Sequence, residues 1–480
     1  MNYPAVFRVI GVLLVLEALF MLPAFGISWY FHEAAAKAFL DAILFCLVIG
    51  FLCVRIQAGE ATVRIREGLA VVALGWLVFS IAGAFPLVWS GSVPSMTDAF
   101  FEAVSGFTTT GATVISDVEI LPKGILFWRS FTHWIGGMGI LVFTVAILPA
   151  VGIGGFQMFR AEAPGPTTDR ITPRINDTAR ILYTTYILMT LLEMGLLMSA
   201  GMGWFDAAIH TFGTVGTGGF SSKNISIGAY GNPAIHWIIG AFMVLASCNF
   251  SLYYALYRGK WRDVLKDQEL RFFLGVIAAA TLLIGLNIHP LGGSLVKTAR
   301  DSFFQVSTII STTGYATVDF DQWPTFSKAV LLGLMFIGGC AGSTGGGVKG
   351  IRILLLLKLI RSEIVRMIHP RAVVNIRMGR RTVPVSVMST TTAFFFTYML
   401  LFAFGTLMVS AENVDLLSAV SASAACIGNI GPGFGAVGPM VNYGQFSDIT
   451  KVGLSALMLL GRLEIFTVLA VLTPGVWRRD

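Results

Sequence analysis

Residues 105–113 read SGFTTTGAT, a polar stretch rich in threonine and glycine that stands between two long apolar runs. Three more stretches of the same character follow along the chain, at residues 214–220 (TVGTGGF), 311–317 (STTGYAT) and 428–434 (GNIGPGF). Their matching glycines, which recur 107, 96 and 117 residues apart, are Gly111, Gly218, Gly314 and Gly431. This recurrence predicts that the chain uses one structural unit four times.

The composition indicates a protein that crosses a membrane many times. Of the 480 residues, 55% are apolar and only 12% are charged, which departs strongly from soluble proteins. The net charge of +7 comes from lysines and arginines in short segments between the apolar runs, where membrane orientation signals lie. Nucleic-acid binding is not expected, because bound phosphates need a continuous basic face. The five cysteines form no Cys-x-x-Cys pair and predict no metal or redox site.

Apolar runs of roughly 20 residues, the length of a membrane-spanning helix, divide the chain into similar units. Two spanning helices at residues 6–30 and 34–54 come first, and each unit then has a spanning helix, a short helix, a polar loop and a second spanning helix. The predicted helices of the units are 68–89, 98–107 and 124–150; 179–199, 206–212 and 234–257; 272–288, 301–310 and one from about 326; and 385–409, 415–425 and 449–473.

These segments predict an all-α integral membrane protein with ten spanning helices. Four helix–re-entrant pore loop–helix repeats surround one pore, and two N-terminal transmembrane helices precede them. The predicted division is residues 1–66 for the N-terminal helices, 67–151, 152–258 and 259–361 for repeats 1 to 3, and 362–480 for repeat 4. Lysine and arginine concentrate between the units, so the positive-inside rule places both termini in the cytoplasm. The four polar loops then enter the membrane from outside.

Each short helix is predicted to begin at an aspartate that caps its free backbone N–H groups. The four aspartates are Asp98, Asp206, Asp301 and Asp415. They precede the matching glycines by 13, 12, 13 and 16 residues. The longer last spacing leaves open whether Gly428 or Gly431 is the fourth matching glycine.

Four polar loops deep in a membrane favour a cation pathway. Irregular backbone is tolerated there only when it is buried in protein or lines a water-filled cavity. Short helices that start outside point their partly negative ends to the membrane centre, and the loops then offer carbonyl oxygens to a cation, as in potassium filters. The alternative is that glycine and threonine only allow close helix packing. The predicted ion-binding residues are Thr109, Thr110, Gly111, Thr217, Gly218, Thr313, Gly314, Ile430 and Gly431.

The fourfold unit, with SGFTTTGAT first and STTGYA third, resembles the Trk/Ktr/HKT superfamily of potassium transporters. The two extra N-terminal helices make the chain similar to the bacterial TrkH/TrkG-type membrane subunits. This resemblance implies potassium uptake through a channel-like pore, with K+ as the transported ion and no bound cofactor. It also implies a homodimer in the bacterial inner membrane and a TrkA-like cytosolic ring of nucleotide-binding regulatory subunits. In plant relatives a serine in place of Gly111 accompanies sodium transport.

Gly111 therefore favours potassium over the alternative, a sodium or poorly selective cation transporter of the same architecture. The basic segment at residues 361–381 could bind anionic membrane lipid or the regulatory ring, or could act as an orientation signal alone.

Residues 338–350, which we call the glycine-rich loop, read GGCAGSTGGGVKG and hold seven glycines. Each glycine costs a helix about 1 kcal/mol relative to alanine, so the second helix of unit three is predicted to open here. A phosphate-binding P-loop is not expected, because Val348 precedes Lys349 and Gly350 stands where serine or threonine is required. The resemblance implies that this loop is an intramembrane gate. The gate residues predicted in it are Gly345, Gly346, Gly347 and Lys349.

Arg462 lies within the last apolar run, where a charge is costly and is usually functional. Glu464 is only two residues away and cannot face it on one helix. Arg462 is therefore predicted to line the inner pore beside the glycine-rich loop, as the resemblance also implies. The alternative is that packed backbone carbonyls satisfy it. No motif for nucleophilic or metal catalysis falls within the spans, so the chain is not expected to be an enzyme.

Overall fold

The computed structural model describes residues 1–56, 65–139, 175–291, 293–379 and 381–477. The second half of the predicted helix 124–150 and the predicted boundary between repeats 1 and 2 lie outside these residues. Elements are numbered below over the described residues.

The two long N-terminal helices that the apolar runs predicted form a packed antiparallel pair. Helix α1 spans Tyr3–Tyr30 and α2 spans Ala35–Val54. Their backbones approach closely at two glycines, because a Cβ atom placed on Gly11 would lie 2.6 Å from the carbonyl oxygen of Gly50. Small residues allow such close contact between helices in a membrane.

The four repeats follow in sequence with the predicted order of elements. Repeat 1 contains α3 (Ile65–Trp89), α4 (Met96–Phe107) and α5 (Lys123–Gly137), and repeat 2 contains α6 (Ile175–Ser199), α7 (Trp204–Val215), α8 (Pro233–Ala246) and α9 (Phe250–Tyr257). After α10 (Trp261–Lys266), repeat 3 contains α11 (Gln268–Ile288), α12 (Leu295–Ile310), α13 (Thr325–Met335) and α14 (Gly350–Ile368). A two-stranded antiparallel hairpin, β1 (Arg377–Met378) and β2 (Arg381–Thr382), leads to repeat 4. That repeat contains α15 (Val385–Ser410), α16 (Leu416–Ile427), α17 (Asp448–Arg462), α18 (Phe466–Leu472) and α19 (Pro474–Trp477).

The short helices α4, α7, α12 and α16 and the loops after them form the interior of the molecule. Every residue is buried in the ranges 101–110, 213–218, 304–313 and 421–431. The long helices α2, α11 and α15 instead expose many large apolar side chains, such as Leu52, Leu286 and Leu407. An apolar exterior around a polar, irregular interior is the arrangement that a membrane requires.

The predicted aspartate caps are correct only for Asp415, whose side chain accepts from the N–H of Ser418. Helix α4 begins earlier and is capped by Ser95, which leaves Asp98 in its first turn. Asp206 likewise lies in the first turn of α7. Helix α12 is capped by Ser294, so that Asp301 lies in its second turn. In the first turn Asp98 and Asp206 still stabilise the positive helix ends without capping them, whereas Asp301 lies too far along α12 for this effect.

The second helix is broken where two repeats were predicted to have a continuous one. In repeat 2, α8 and α9 meet at an angle of 93° around residues 247–249, and in repeat 4, α17 and α18 meet at 118°. Asn249 caps α9 with its side chain, and Glu464 and Ile465 have positive φ, which ends α17. Within the described residues, six helices can cross a membrane by length and composition, or eight if each bent pair is one span. The predicted helices 234–257 and 449–473 are therefore each divided into two helices, and the predicted count of ten spanning helices includes one, 124–150, that lies partly outside the described residues.

Candidate ion pathway

The four polar loops share one backbone conformation. After each short helix comes a residue in the left-handed region, and two residues later a glycine with positive φ. The pairs are Thr109 and Gly111 (φ 55° and 80°), Thr217 and Gly219 (57° and 79°), Thr312 and Gly314 (62° and 88°), and Asn429 and Gly431 (55° and 96°). This repeated geometry aligns the four loops residue by residue.

The alignment corrects one predicted equivalence and resolves an open one. In the second loop the equivalent of Gly111 is Gly219, and the predicted Gly218 aligns instead with Thr110. In the fourth loop Gly431 has the positive φ of the matching glycines, whereas Gly428 is a helical C-cap with φ −82°. Gly218 remains within the second loop but one position before the matching glycine.

Each short helix ends in the same hydrogen-bonded turn. The N–H groups of Thr110, Gly218, Thr313 and Ile430 donate to carbonyls five residues earlier, at 2.8, 2.7, 2.9 and 2.8 Å. This six-to-one bond after a left-handed residue is a Schellman turn, whose left-handed position is usually glycine. Three of the four loops place threonine there, at a cost of order 1–3 kcal/mol per residue. Strained backbone of this kind clusters at functional sites in proteins, and here it recurs at four equivalent places.

The matching glycines bring the loops together in a closed ring. A Cβ atom placed on Gly111 would lie 2.0 Å from the carbonyl oxygen of Gly218, and one on Gly219 would lie 2.1 Å from that of Thr313. A Cβ atom on Gly314 would lie 2.2 Å from the oxygen of Ile430, and one on Gly431 would lie 2.6 Å from that of Thr110. Loop 1 thus contacts loop 2, loop 2 contacts loop 3, loop 3 contacts loop 4, and loop 4 contacts loop 1. We call the four carbonyls of Thr110, Gly218, Thr313 and Ile430 the carbonyl ring.

Buried polar side chains hold the loops of the carbonyl ring from behind. In loop 1 the carboxylate of Glu102 accepts from the N–H of Val114 at 3.0 Å and pairs with Arg129 at 2.6 Å. His133 Nδ1 lies 2.8 Å from the carbonyl oxygen of Gly106, and its Nε2 accepts from the N–H of Phe220 at 3.2 Å. His133 therefore joins the end of α4 to the second loop.

Tyrosines support the other two loops. The hydroxyl of Tyr315 donates to the carbonyl of His210 at 3.1 Å or of Phe220 at 3.2 Å, which connects loops 2 and 3. The hydroxyl of Tyr443 donates to the carbonyl of Gly431 at 2.7 Å. Each loop of the ring is thus fixed by hydrogen bonds to groups outside it.

The glycine-rich loop lies directly against the loops that carry the carbonyl ring. The N–H of Gly346 donates to Thr312 Oγ1 at 2.6 Å, and a Cβ atom on Gly346 would lie 2.5 Å from the carbonyl oxygen of Gly428. At its base the loop closes on itself, because the N–H of Gly350 donates to the carbonyl of Gly339 at 2.9 Å. Lys349, at φ 77°, points its ammonium back to the carbonyl of Gly345.

Arg462 is the last residue of α17, because the helix ends there and does not continue as predicted. Its guanidinium donates to the carbonyl of Thr344 in the glycine-rich loop at 2.7 Å and to that of Gly136 at 2.6 Å. The predicted contact with the glycine-rich loop is therefore present, and backbone carbonyls accept its hydrogen bonds. Glu464 pairs with Arg352 of α14, a bidentate contact between two repeats.

The predicted site residues converge on these two features. Thr109, Thr110, Gly111, Thr217, Gly218, Thr313, Gly314, Ile430 and Gly431 all lie in the four loops. Gly345, Gly346, Gly347, Lys349 and Arg462 lie in or against the glycine-rich loop. The supporting residues Glu102, Arg129 and His133 were not predicted as site residues. Glu102 and Arg129 could have been predicted, because each is a charged residue within an apolar run beside a polar loop.

Comparison with known proteins decides the family. A family profile described as TrkH, cation transport protein, matches residues 35–474. The chain belongs to the TrkH family. It is 40% identical to the Trk system potassium uptake protein TrkH of Salmonella typhimurium over the full length of both. It is 39% identical to the Trk system potassium uptake protein TrkG of Escherichia coli, over 98% of this chain and 97% of that protein.

The solved structures give the same answer. The crystal structure of the potassium transporter TrkH from Vibrio parahaemolyticus matches with a TM-score of 0.88 and 38% identity over the full length of both chains. The predicted resemblance and the predicted fold class are thus confirmed, and this TrkH-family chain is a multi-pass membrane protein of a transporter family, not an enzyme.

Proposed function

We propose that this TrkH-family chain takes up potassium across the bacterial inner membrane through a channel-like pore. The carbonyl ring is the observation that carries the proposal, because four loops in cyclic contact surround one axis. The names of its relatives, which are potassium uptake proteins, support potassium as the transported ion. In this proposal K+ is the cargo, and no cofactor is needed.

Selectivity arises in this proposal from the carbonyl ring and its helices. A cation that enters the ring exchanges water oxygens for backbone carbonyl oxygens, which replace its hydration shell. The partly negative C-terminal ends of α4, α7, α12 and α16 lie immediately before the loops and favour positive charge there. Thr109 Oγ1 and Asn429 Oδ1 are buried without a hydrogen-bond partner among the described residues, so they are further oxygens that a cation could use.

The glycine-rich loop is the proposed gate of this pore. Its tip, residues 344–346, contacts the loops just before the ring, where it would obstruct the path of an ion. Conduction then requires the tip to leave Thr312 and the position beside Gly428. The charge of Arg462, held against Thr344, also opposes a cation at that point.

The proposed assembly is a homodimer whose opening is controlled by a TrkA-like cytosolic ring of nucleotide-binding subunits. The relatives named as parts of a Trk system support an assembly with other components. Basic segments between the repeats support a cytoplasmic location of both termini, of the end of α14 and of the hairpin that follows it. Anionic lipid is the other proposed partner of these basic segments.

A sodium or poorly selective cation pathway is the second candidate, because it would use the same architecture. Gly111, where sodium-transporting plant relatives have serine, favours potassium. The two candidates differ in one measurable quantity, the uptake of potassium relative to sodium.

The test is uptake of potassium, rubidium and sodium into potassium-depleted cells that lack their own uptake systems. Gly314→Ser places a side chain where a Cβ atom would lie 2.2 Å from the carbonyl oxygen of Ile430. The matched control is Gly333→Ser in α13 of the same repeat, where a Cβ atom meets nothing within 4 Å. We expect potassium uptake by the wild type and the control, and loss of the preference over sodium in Gly314→Ser. A preference that survives Gly314→Ser would contradict the filter.

A further inference from the structure

A buried carboxylate that was not predicted as a site residue binds the glycine-rich loop at its base. Glu269 lies in the first turn of α11 and is 5% exposed. Its Oε1 atom accepts from the backbone N–H of Ala341 at 2.7 Å and from that of Ile351 at 2.9 Å. One oxygen therefore binds a residue inside the loop and a residue just after it.

These two hydrogen bonds lie at the point where the glycine-rich loop closes on itself. The loop closes at the bond from Gly350 to Gly339, and Ala341 and Ile351 flank that closure on either side. Ile351 is the second residue of α14, where N–H groups have no partner within the helix and an anionic acceptor is favoured. Glu269 thus accepts one hydrogen bond from the start of α14 and one from the base of the glycine-rich loop, where the loop closes on itself. We call this closure the neck of the loop.

The tip of the loop lies elsewhere, against the carbonyl ring. Gly346 donates to Thr312, and the neighbouring Thr344 accepts from Arg462. For the tip to leave Thr312, the loop has to move about its neck. A carboxylate that binds both sides of the neck resists such movement.

We propose that Glu269 is a positioning residue that holds the glycine-rich loop in its obstructing position beneath the carbonyl ring. This inference rests on the proposed function, in which that loop is the gate. It makes α11, whose first turn follows directly on the α10 segment between repeats 2 and 3, the element that fixes the closed loop. Lys358 of α14 donates to Gln268 at 2.6 Å and ties the same end of α11 to α14.

Two substitutions of Glu269 should release the glycine-rich loop to different extents. Glu269→Gln keeps an oxygen acceptor but removes the charge, and charge-assisted hydrogen bonds are about twice as strong as neutral ones. Glu269→Ala removes the acceptor and leaves two buried N–H groups unpaired. The loop should therefore leave its position most often in Glu269→Ala, less often in Glu269→Gln and least in the wild type.

The experiment measures rubidium flux into liposomes that hold the purified full-length protein without a regulatory subunit. We expect Glu269→Ala to raise basal flux on the order of tenfold, a factor that corresponds to about 1.4 kcal/mol. Glu269→Gln should give a smaller rise, and the preference for potassium over sodium should stay unchanged in both. A general loss of structure would lower that preference, so the two readouts separate gating from misfolding.

The matched control is Asp267→Ala, two residues away on the same helix end. Asp267 accepts from the N–H of Leu270 at 2.7 Å and so caps α11, but its described hydrogen bond does not reach the glycine-rich loop. We expect its basal flux to equal that of the wild type. Equal rises in Asp267→Ala and Glu269→Ala would mean that a weakened helix start suffices, and would overturn the proposal.

Arg462→Ala serves as the second reference, because Arg462 holds the tip of the same loop. If both residues stabilise the closed position of one loop, the double variant Glu269→Ala with Arg462→Ala should raise the flux by more than either single variant, and coupling between the two residues would appear as a departure from the product of the single effects. If Arg462→Ala conducts rubidium but neither Glu269 variant shows a raised basal flux, the inference about Glu269 is overturned and the proposed pore is not. Absence of flux from every variant, each shown to be folded, overturns the proposed pore and the inference with it.

Discussion

Replacing Gly219 with alanine perturbs the carbonyl ring at one defined point. A Cβ atom at this residue would lie 2.1 Å from the carbonyl oxygen of Thr313, and the residue has φ 79°. Since a Cβ atom does not approach an oxygen closer than about 3.0 Å, the two loops must separate by about 1 Å. The left-handed backbone adds about 1–2 kcal/mol of strain for a residue with a side chain.

Because the displaced carbonyl is one of the four that would bind potassium, we expect the preference for potassium over sodium to fall at least about tenfold, or about 1.4 kcal/mol. The assay is competitive uptake of the two ions in potassium-depleted cells, normalised to the amount of protein in the membrane. Gly195→Ala in α6 of the same repeat is the control, since a Cβ atom there meets nothing within 4 Å. Unchanged selectivity in a folded Gly219→Ala protein would refute both the ring and its corrected register.

Three further substitutions test the buried ion pair behind loop 1, the gate and the bridge between loops 1 and 2. Glu102→Ala leaves Arg129 buried without its carboxylate and should destabilise the protein by about 3–5 kcal/mol. The control is Glu119→Ala, which removes an exposed ion pair with Lys223 and should cost about 0–1 kcal/mol. Thermal unfolding in detergent compares the two variants. Arg462→Ala removes the guanidinium from the glycine-rich loop and should raise rubidium flux in liposomes without loss of selectivity; unchanged flux would count against the gate. His133→Ala removes the bridge between the end of α4 and the second loop, so competitive uptake should show a weaker preference for potassium.

The recurring loops could be predicted because their local chemistry is strong. Long apolar runs bound each unit, and the threonine and glycine stretches between them have no place in a lipid-exposed helix. The seven glycines at residues 338–350 likewise interrupt α13 and α14 in the structure, as predicted. These features depend on residues that are close together in the sequence.

The parts that could not be predicted depend on distant contacts or on ambiguous local signals. Gly218 and Gly219 are adjacent glycines, and only the φ angles and the contact with Thr313 show which one matches Gly111. The pairing of Glu464 with Arg352 joins residues 112 positions apart.

The breaks in two helices fall in ordinary sequence. Residues 247–249 (SCN) and 463–465 (LEI) contain neither glycine nor proline, so helix propensity alone gives no reason to end a helix there. Glu269 was equally inconspicuous, because a glutamate at the start of a helix usually needs no partner beyond the helix itself. Its role depends on a loop that begins about seventy residues later and is visible only in three dimensions.

If the four loops form one cation site, a bound ion must lie on the axis that they surround, so the position of the ion is the most direct test. The measurement is anomalous diffraction from crystals of the full-length protein grown in rubidium, a heavier substitute for potassium. We expect anomalous density on the axis, in contact with the carbonyl oxygens of Thr110, Gly218, Thr313 and Ile430. Density confined to other positions, or its absence from the ring at saturating rubidium, would contradict it.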